Sequence, residues 1–222
     1  MLKTKKTLLA ASIITASALS SGPVLAEISA NIGITSNYIV RGVTETNNQA
    51  AIQGGLDFEH ESGFYVGTWA SNVDWSDDDE SMKGYEVDVY LGFAGEVGDF
   101  GYDVGYIRYM YPSFDRDEDG NSYDAAEFYI GGSYSMFSAM AFHDPKSKNR
   151  YFQVGMDFDI GSGFGLGLHA GTARNKDAEN ANDYAVTVSK EDFTFTVTTA
   201  SNYKKIENGK NYLVAIGWSK SF

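Results

Sequence analysis

The chain of 222 residues contains no cysteine, only three prolines and only three histidines. Without cysteine there is no disulfide framework, no thiolate nucleophile, no iron–sulfur or thiolate–zinc site, and no residue for a lipoprotein anchor. Basic residues are also scarce, 17 against 30 acidic ones. A surface of that sign repels phosphates, which disfavours nucleic acid as a partner and disfavours adhesion to anionic lipid by a basic patch. Apolar residues at three- and four-residue spacing, the mark of an amphipathic helix, are absent from the opening Ile28–Asp74 stretch. What is abundant is glycine (24), tyrosine (15) and phenylalanine (14). Aromatics and glycines in alternating runs suit the girdles and tight backbone packing of a membrane barrel.

The first 26 residues have the layout of an export signal. Lys3, Lys5 and Lys6 precede an apolar, small-residue run from Leu8 to about Leu19, and Val24-Leu25-Ala26 forms a small-residue cleavage site. The run falls short of the ~20 apolar residues of a spanning helix. Cleavage after Ala26 is expected, leaving residues 27–222 as one domain. Loss of the three leader lysines leaves 14 basic residues against 30 acidic ones, a formal charge of −16.

From Ile28 onward the pattern has a period of two. Ile28, Ala30, Ile32, Ile34, Ser36, Tyr38 and Val40 alternate with Ser29, Asn31, Gly33, Thr35, Asn37, Ile39 and Arg41, which places the two sets on opposite faces of a strand. Ile52, Leu56 and Phe58 then oppose Gln53, Asp57 and Glu59. Similar runs follow to the C-terminus, about twelve in all. Beyond Gly105 the alternation slips, with Arg108 on the apolar side, and a bulge near Gly105 is the expected repair. Short links, such as Glu61–Gly63, Gly161–Gly163 and Glu191–Asp192, alternate strictly with long polar ones, such as Arg41–Asn48, Asp74–Lys83 and Pro112–Tyr123. These features predict a single all-β antiparallel transmembrane barrel of about twelve strands, with short periplasmic turns and longer outer loops. The last strand places Tyr212, Val214, Ile216, Trp218 and Phe222 on one face. An end of this kind resembles the recognition signal of the outer-membrane assembly machinery, with Lys220 a departure from it.

Three stretches also carry a family resemblance. Ser36-Asn37-Tyr38-Ile39-Val40-Arg41-Gly42-Val43, then Ala51–Phe58, then Ser62–Asp74 together resemble the opening of the TorF family of porins of Gram-negative outer membranes. The resemblance is sharp over Asn31–Asp74 and loose beyond. It implies a secreted outer-membrane barrel and says little about the solute, because the function of that family is itself inferred.

If the apolar face meets lipid, the polar face must line the interior. Arg41, Gln53, Asp57, Glu86, Asp88, Asp103, Glu127, Asp157 and His169 are the expected pore-lining residues. Most are acidic, which would favour cations or neutral polar solutes. About twelve strands leave either a narrow water-filled lumen or one filled by side chains. The alternatives are therefore a channel for passive diffusion of small hydrophilic solutes and a closed structural or adhesive barrel, its acids paired with Arg41 and Arg150, acting through acidic loops. A soluble periplasmic ligand-binding barrel, with its apolar face inward, is a third. The run Asp115-Arg116-Asp117-Glu118-Asp119-Gly120 resembles the front of a calcium loop, with Asp115, Asp117 and Asp119 as ligands. However, Ala126 stands where the closing glutamate belongs, and a solvated acidic loop bridged by divalent ions to lipopolysaccharide is the plainer alternative. No nucleophile elbow is present and no enzyme or other cofactor is expected. A serine–histidine pair on the barrel wall would have to use His143. Trp69, Trp218 and the tyrosines are expected at the membrane boundary.

Overall fold

The computed structural model describes residues 26–76, 81–115, 120, 122–175, 180–201 and 212–222. Twelve strands close into one antiparallel barrel. They are β1 (Ala26–Thr35), β4 (Ala51–His60), β5 (Phe64–Asp74), β6 (Lys83–Val97), β7 (Phe100–Met110), β8 (Ala125–Tyr134), β9 (Phe137–His143), β10 (Arg150–Gly161), β11 (Phe164–Arg174), β12 (Ala181–Lys190), β13 (Phe193–Ser201) and β14 (Leu213–Ser221). Two further short strands, β2 (Ile39–Val40) and β3 (Val43–Thr44), form a separate hairpin between β1 and β4. Each barrel strand pairs with its neighbours in chain order, and β1 pairs with β14 to close the seam. Ala30 and Phe222 exchange backbone bonds there, 2.8 and 3.2 Å. Closure gives each of the twelve barrel strands a neighbour on both sides, as a lipid environment requires.

The alternation of the sequence becomes the two faces of the wall. Ile28, Ile52, Leu56, Leu91, Phe128, Ile130 and Ile216 are all exposed on the outside. The buried set is of the other parity and includes Tyr90, Ile107, Tyr129, Tyr151, Glu86, Asp88 and Asp183. Water outside such a wall would be in contact with a continuous apolar band. Hydrocarbon outside, with polar groups enclosed, satisfies both faces. The inverted arrangement of a soluble ligand-binding barrel is therefore not the one this chain adopts.

One register row shows the tilt. Ile28 pairs with Phe58, Phe58 with Val66, Val66 with Leu91, Leu91 with Tyr106, Tyr106 with Phe128, Phe128 with His143, His143 with Arg150, and Arg150 with Arg174. Residues opposite one another in register share a face. A row that starts near the short-turn end of β1 therefore ends at the long-loop end of β11, the stagger that a closed barrel of tilted strands demands.

Three expectations are corrected here. β7 has no bulge at Gly105, because its register is continuous against both β6 and β8. Arg108 simply points outward near the rim, where it meets Asp124 at 3.2 Å, and Ile107 and Tyr109 point inward. The first wall strand stops at Thr35 instead of running to Val40; β14 is held one residue further by Ser36, through both backbone and side chain, and the chain then leaves the wall. Finally, the aromatics are divided. Tyr85, Tyr102, Tyr134, Tyr184 and Tyr212 are exposed outside, whereas Trp69, Tyr65, Tyr90, Tyr109 and Tyr129 pack together inside.

Candidate functional site: a hairpin seated in the barrel lumen

The loop that follows β1 folds back into the barrel. Its tip, Val40-Arg41-Gly42-Val43, is a two-residue hairpin turn with φ of 49° at Arg41 and 79° at Gly42. Positive φ at both central residues is the geometry of a type I′ turn, whose twist matches the two strands it joins. Gly42 adopts it freely, while Arg41 pays a conformational penalty of order 1 kcal/mol or more. The base is fastened by a polar knot. Thr44 Oγ1 and Thr46 Oγ1 both donate to Asn37 Oδ1 at 2.6 and 3.3 Å, and Tyr38 N donates to Thr46 Oγ1 at 3.1 Å. Thr46 is completely buried. Asp74 N donates to the Glu45 carbonyl at 2.8 Å, which ties the base to the end of β5.

The partners of this hairpin come from strands all around the barrel, so it lies in the lumen. The Tyr38 hydroxyl donates to Glu86 on β6 at 3.2 Å, and its ring packs on Trp69 of β5, 5.4 Å between centroids. The Arg41 guanidinium makes a two-pronged pair with Glu127 on β8, at 3.0 and 2.7 Å. The same guanidinium lies 4.2 Å from the centre of the Tyr151 ring on β10 and 5.1 Å from that of Phe142 on β9. Burial alone would weaken the hold of Arg41 on its proton, but the charge of Glu127 and their hydrogen bonds more than offset this, and its pKa is raised. At Gly42 an added Cβ would lie 2.8 Å from the Ala200 Cβ on β13 and 3.0 Å from the Asp183 Cβ on β12. The tip is thus wedged against the wall opposite β6.

Glu45 is placed where its charge is unwelcome. Its carboxylate accepts from the Trp75 indole at 2.8 Å. Burial, the largest effect, together with the nearby Glu86 outweighs the help of Trp75 and Arg41, and its pKa rises to about 7.

The wall supplies the rest. Asp57 accepts from the Tyr90 hydroxyl, and Asp103 accepts from Tyr65 at 2.6 Å, whose oxygen also contacts that of Tyr129. Tyr109 donates to Glu127 at 3.0 Å. Asp183 gathers His169 Nε2 at 2.7 Å and the Tyr151 hydroxyl at 3.0 Å. Asp88 is completely buried beside Glu86, and neither of its carboxylate oxygens has a hydrogen-bond donor.

Every residue expected on the polar face is inward by register. Gln53, half-buried, reaches toward Ser71 at 3.4 Å. Asp57, Asp103, Asp157 and His169 are half-buried on the wall, whereas Glu86, Asp88 and Glu127 are buried beneath the hairpin. Arg41 belongs to this interior through the hairpin and not through a wall strand. Arg150, expected as an interior partner for acids, points outward instead. Of the calcium-loop residues, Asp115 ends a described segment, and Asp117 and Asp119 lie outside the described residues. Among the described residues no group of three His, Asp or Glu side chains is arranged to hold a metal ion. His143 Nδ1 faces the Asn149 carbonyl at 3.3 Å. Sequence reasoning missed Asp183 and the inward tyrosines as members of this site. The signal for them was their parity, shared with the acids on their own or neighbouring strands.

Over residues 17–214 the chain matches the family described as "Bacterial protein of unknown function (Gcw_chp)". No curated protein matches it by sequence. A solved structure described as "KdgM porin in complex with disordered oligogalacturonate" is similar in fold, with a TM-score of 0.52 at 9% identity, covering 88% of this chain and 98% of that one. Outer membrane phospholipase A from Escherichia coli gives 0.44 at 10% identity over 87% and 95% of the two chains. Salmonella typhi OmpF in complex with daunomycin gives 0.40 at 9% over 89% and 97%. The first likeness is one of fold alone, and the other two are too slight to carry weight.

Proposed function

We propose that this chain, which belongs to the Gcw_chp family of bacterial proteins, is an outer-membrane channel for small hydrophilic solutes whose bore is set by the Tyr38–Thr46 hairpin. The observation that carries this reading is a closed barrel with an apolar exterior and a polar interior, into which one loop folds and docks by an ion pair. A barrel serving only as a scaffold has no use for a charged, strained turn held in its centre. The likeness of Ser36–Val43 to the TorF-family porins supports the same reading, since those residues build the hairpin.

The lumen divides into two sides. On the side of β5–β10, tyrosines and carboxylates pack closely with the hairpin. Toward β12–β14 the inward residues are small or hydroxylated, with Thr187 and Thr196 bonded at 2.9 Å and Ala215 and Gly217 beyond them. We assign the solute path to this second side, where the hairpin tip against Asp183 and Ala200 forms its constriction. Asp57 on β4, Asp103 on β7 and Asp157 on β10 are the half-buried wall acids that give the lumen as a whole a preference for cations. Glu86, Asp88 and Glu127 act by holding or shaping the hairpin.

The protein is exported by cleavage after Ala26 and its long loops face outward. Catalysis has little to draw on. Among the described residues the contact of a histidine with a serine is His60 Nδ1 to Ser62 Oγ at 2.9 Å, a local bond in an exposed short turn.

The test is reconstitution of refolded protein in planar bilayers. Discrete conductance steps with a reversal potential favouring cations are expected, and Asp57→Asn/Asp103→Asn/Asp157→Asn is expected to shift that potential toward zero. Folded protein that conducts nothing even when the hairpin is unlatched would instead mark a closed barrel.

A further inference from the structure

We infer that the outer face of β8–β11, at the long-loop rim, is a binding site for a phosphorylated and acylated lipid of the outer leaflet, the lipid A portion of lipopolysaccharide. Arg150 and Arg174 would hold its phosphate, and an acyl chain would lie in the groove at Ala141. The inference rests on the membrane reading of the barrel and not on conduction.

The charge is the first argument. His143, Arg150 and Arg174 stand directly opposite one another on three adjacent strands. They end the same outward row that begins at Ile28, so they face the membrane side of the wall. Both arginines are exposed. Like charges placed directly opposite across strands repel. The outward Lys190 lies 4.4 Å from the centre of the Phe164 ring, while three other outward cations have a carboxylate close by, Arg108 with Asp124 at 3.2 Å, Lys83 with Asp74 at 3.4 Å and Lys220 with Asp192 at 3.0 Å. Among the described residues Arg150 and Arg174 have none. The adjacent carboxylate of Asp144 is occupied in its own turn, accepting from Lys146 N at 2.7 Å and from Ser147 Oγ at 2.7 Å. Two exposed guanidiniums side by side, with no carboxylate partner among the described residues, suit an anion supplied from outside. Guanidinium forks match phosphate geometry, and at a membrane rim the local phosphate is that of the lipid headgroup.

Shape is the second argument. One register row toward the short-turn end lie Ile130, Ala141 and Phe152. The small Ala141 between two large neighbours leaves a groove of about 310 Å³, which Phe128, Ile130 and Phe152 line and His143 and Arg150 cap. A hydrocarbon chain in that groove would end under the guanidiniums, where an acylated sugar phosphate carries its charge.

Native mass spectrometry of the refolded barrel in micelles tests this. The probes are bisphosphorylated lipid A, the same lipid with its phosphates removed, and inorganic phosphate. One lipid A is expected to stay bound to the wild type. Retention should fall at least tenfold for Arg150→Gln/Arg174→Gln, for the dephosphorylated lipid, and for Ala141→Phe, which fills the groove and leaves the charges in place. Arg108→Gln, at an outward arginine already paired, should bind as wild type. A heat-dependent gel shift in every sample verifies that each barrel is folded. Equal retention by the double variant, an equal loss with Arg108→Gln, or binding of inorganic phosphate in place of the lipid would each overturn the site.

Discussion

Removing the Arg41 side chain should unlatch the hairpin, and the size of the effect can be worked from its contacts. The pair with Glu127 is two-pronged, at 3.0 and 2.7 Å, with the Glu127 side chain 9% exposed and that of Arg41 25% exposed. Breaking a buried pair by taking away one partner costs about 3–5 kcal/mol, largely because the other charge is left behind. Loss of the Tyr151 and Phe142 ring contacts adds roughly 1 kcal/mol. Relief of the strained Arg41 backbone returns little, since Ala at positive φ is strained as well. A net weakening of about 4–6 kcal/mol shifts the balance of seated and unseated hairpin by roughly three to four powers of ten, at 1.36 kcal/mol per tenfold. Arg41→Ala should therefore turn small, quiet conductance steps into larger, noisier ones in planar bilayers. Glu127→Gln added to Arg41→Ala should restore part of the wild-type behaviour, because the stranded carboxylate is gone while Tyr109 can still bond the amide. If Arg41→Ala conducts in steps of wild-type size and noise, the hairpin does not set the bore and the reasoning fails.

Further outcomes follow from the same geometry. Glu45 has a pKa of about 7 when seated, above its ordinary 4.5, so the seated hairpin holds more protons across that interval and docking weakens as pH rises through it. The open fraction should increase between pH 5 and pH 8, by an amount equivalent to no more than about 3 kcal/mol, and Glu45→Gln should flatten that dependence. Gly42→Ala places a Cβ 2.8 Å from that of Ala200 at a φ of +79°, so it should mimic Arg41→Ala in conductance while leaving the heat-dependent gel shift of the barrel intact. Asp88→Asn replaces a fully buried acid beside Glu86 with an amide that can donate to Glu86, and should raise the temperature at which the barrel loses that gel shift. N-terminal sequencing of the protein recovered from outer membranes should begin at Glu27.

The wall was legible because a strand has a period of two and the membrane imposes one rule on all twelve strands. Ile28 to Ile34 and Ala126 to Ile130 could be assigned to faces without knowing any neighbour. The alternation of short and long links was equally local. The hairpin was not legible for the opposite reason. Its turn, Arg41-Gly42, lacks the Asn-Gly or Asp-Gly signature, and Val40 continues the apolar alternation of β1, so the residues look like more wall. What takes them out of the wall is their partners, Glu127 lying 86 positions away in sequence and Glu86 lying 48 from Tyr38. The tyrosines were misplaced because amphipathic rings suit either the membrane boundary or a hydroxyl-to-carboxylate bond inside. Parity distinguishes the two, and it was decisive for Tyr90 and Tyr129. A bulge at Gly105 was expected only because a charge on the lipid side seemed too costly, but Arg108 stands at the rim, where Asp124 and water are within reach.

The hairpin lies between the first two barrel strands in chain order, yet Glu127, Tyr151, Asp183 and Ala200 belong to β8, β10, β12 and β13. It is made early and can be satisfied only late. While the strands are still being added its cationic tip has no acceptor, and an incomplete barrel must keep that tip in water. Seating therefore requires β8, β10, β12 and β13 to be in place, so a docked Arg41 reports a far wall that has already formed.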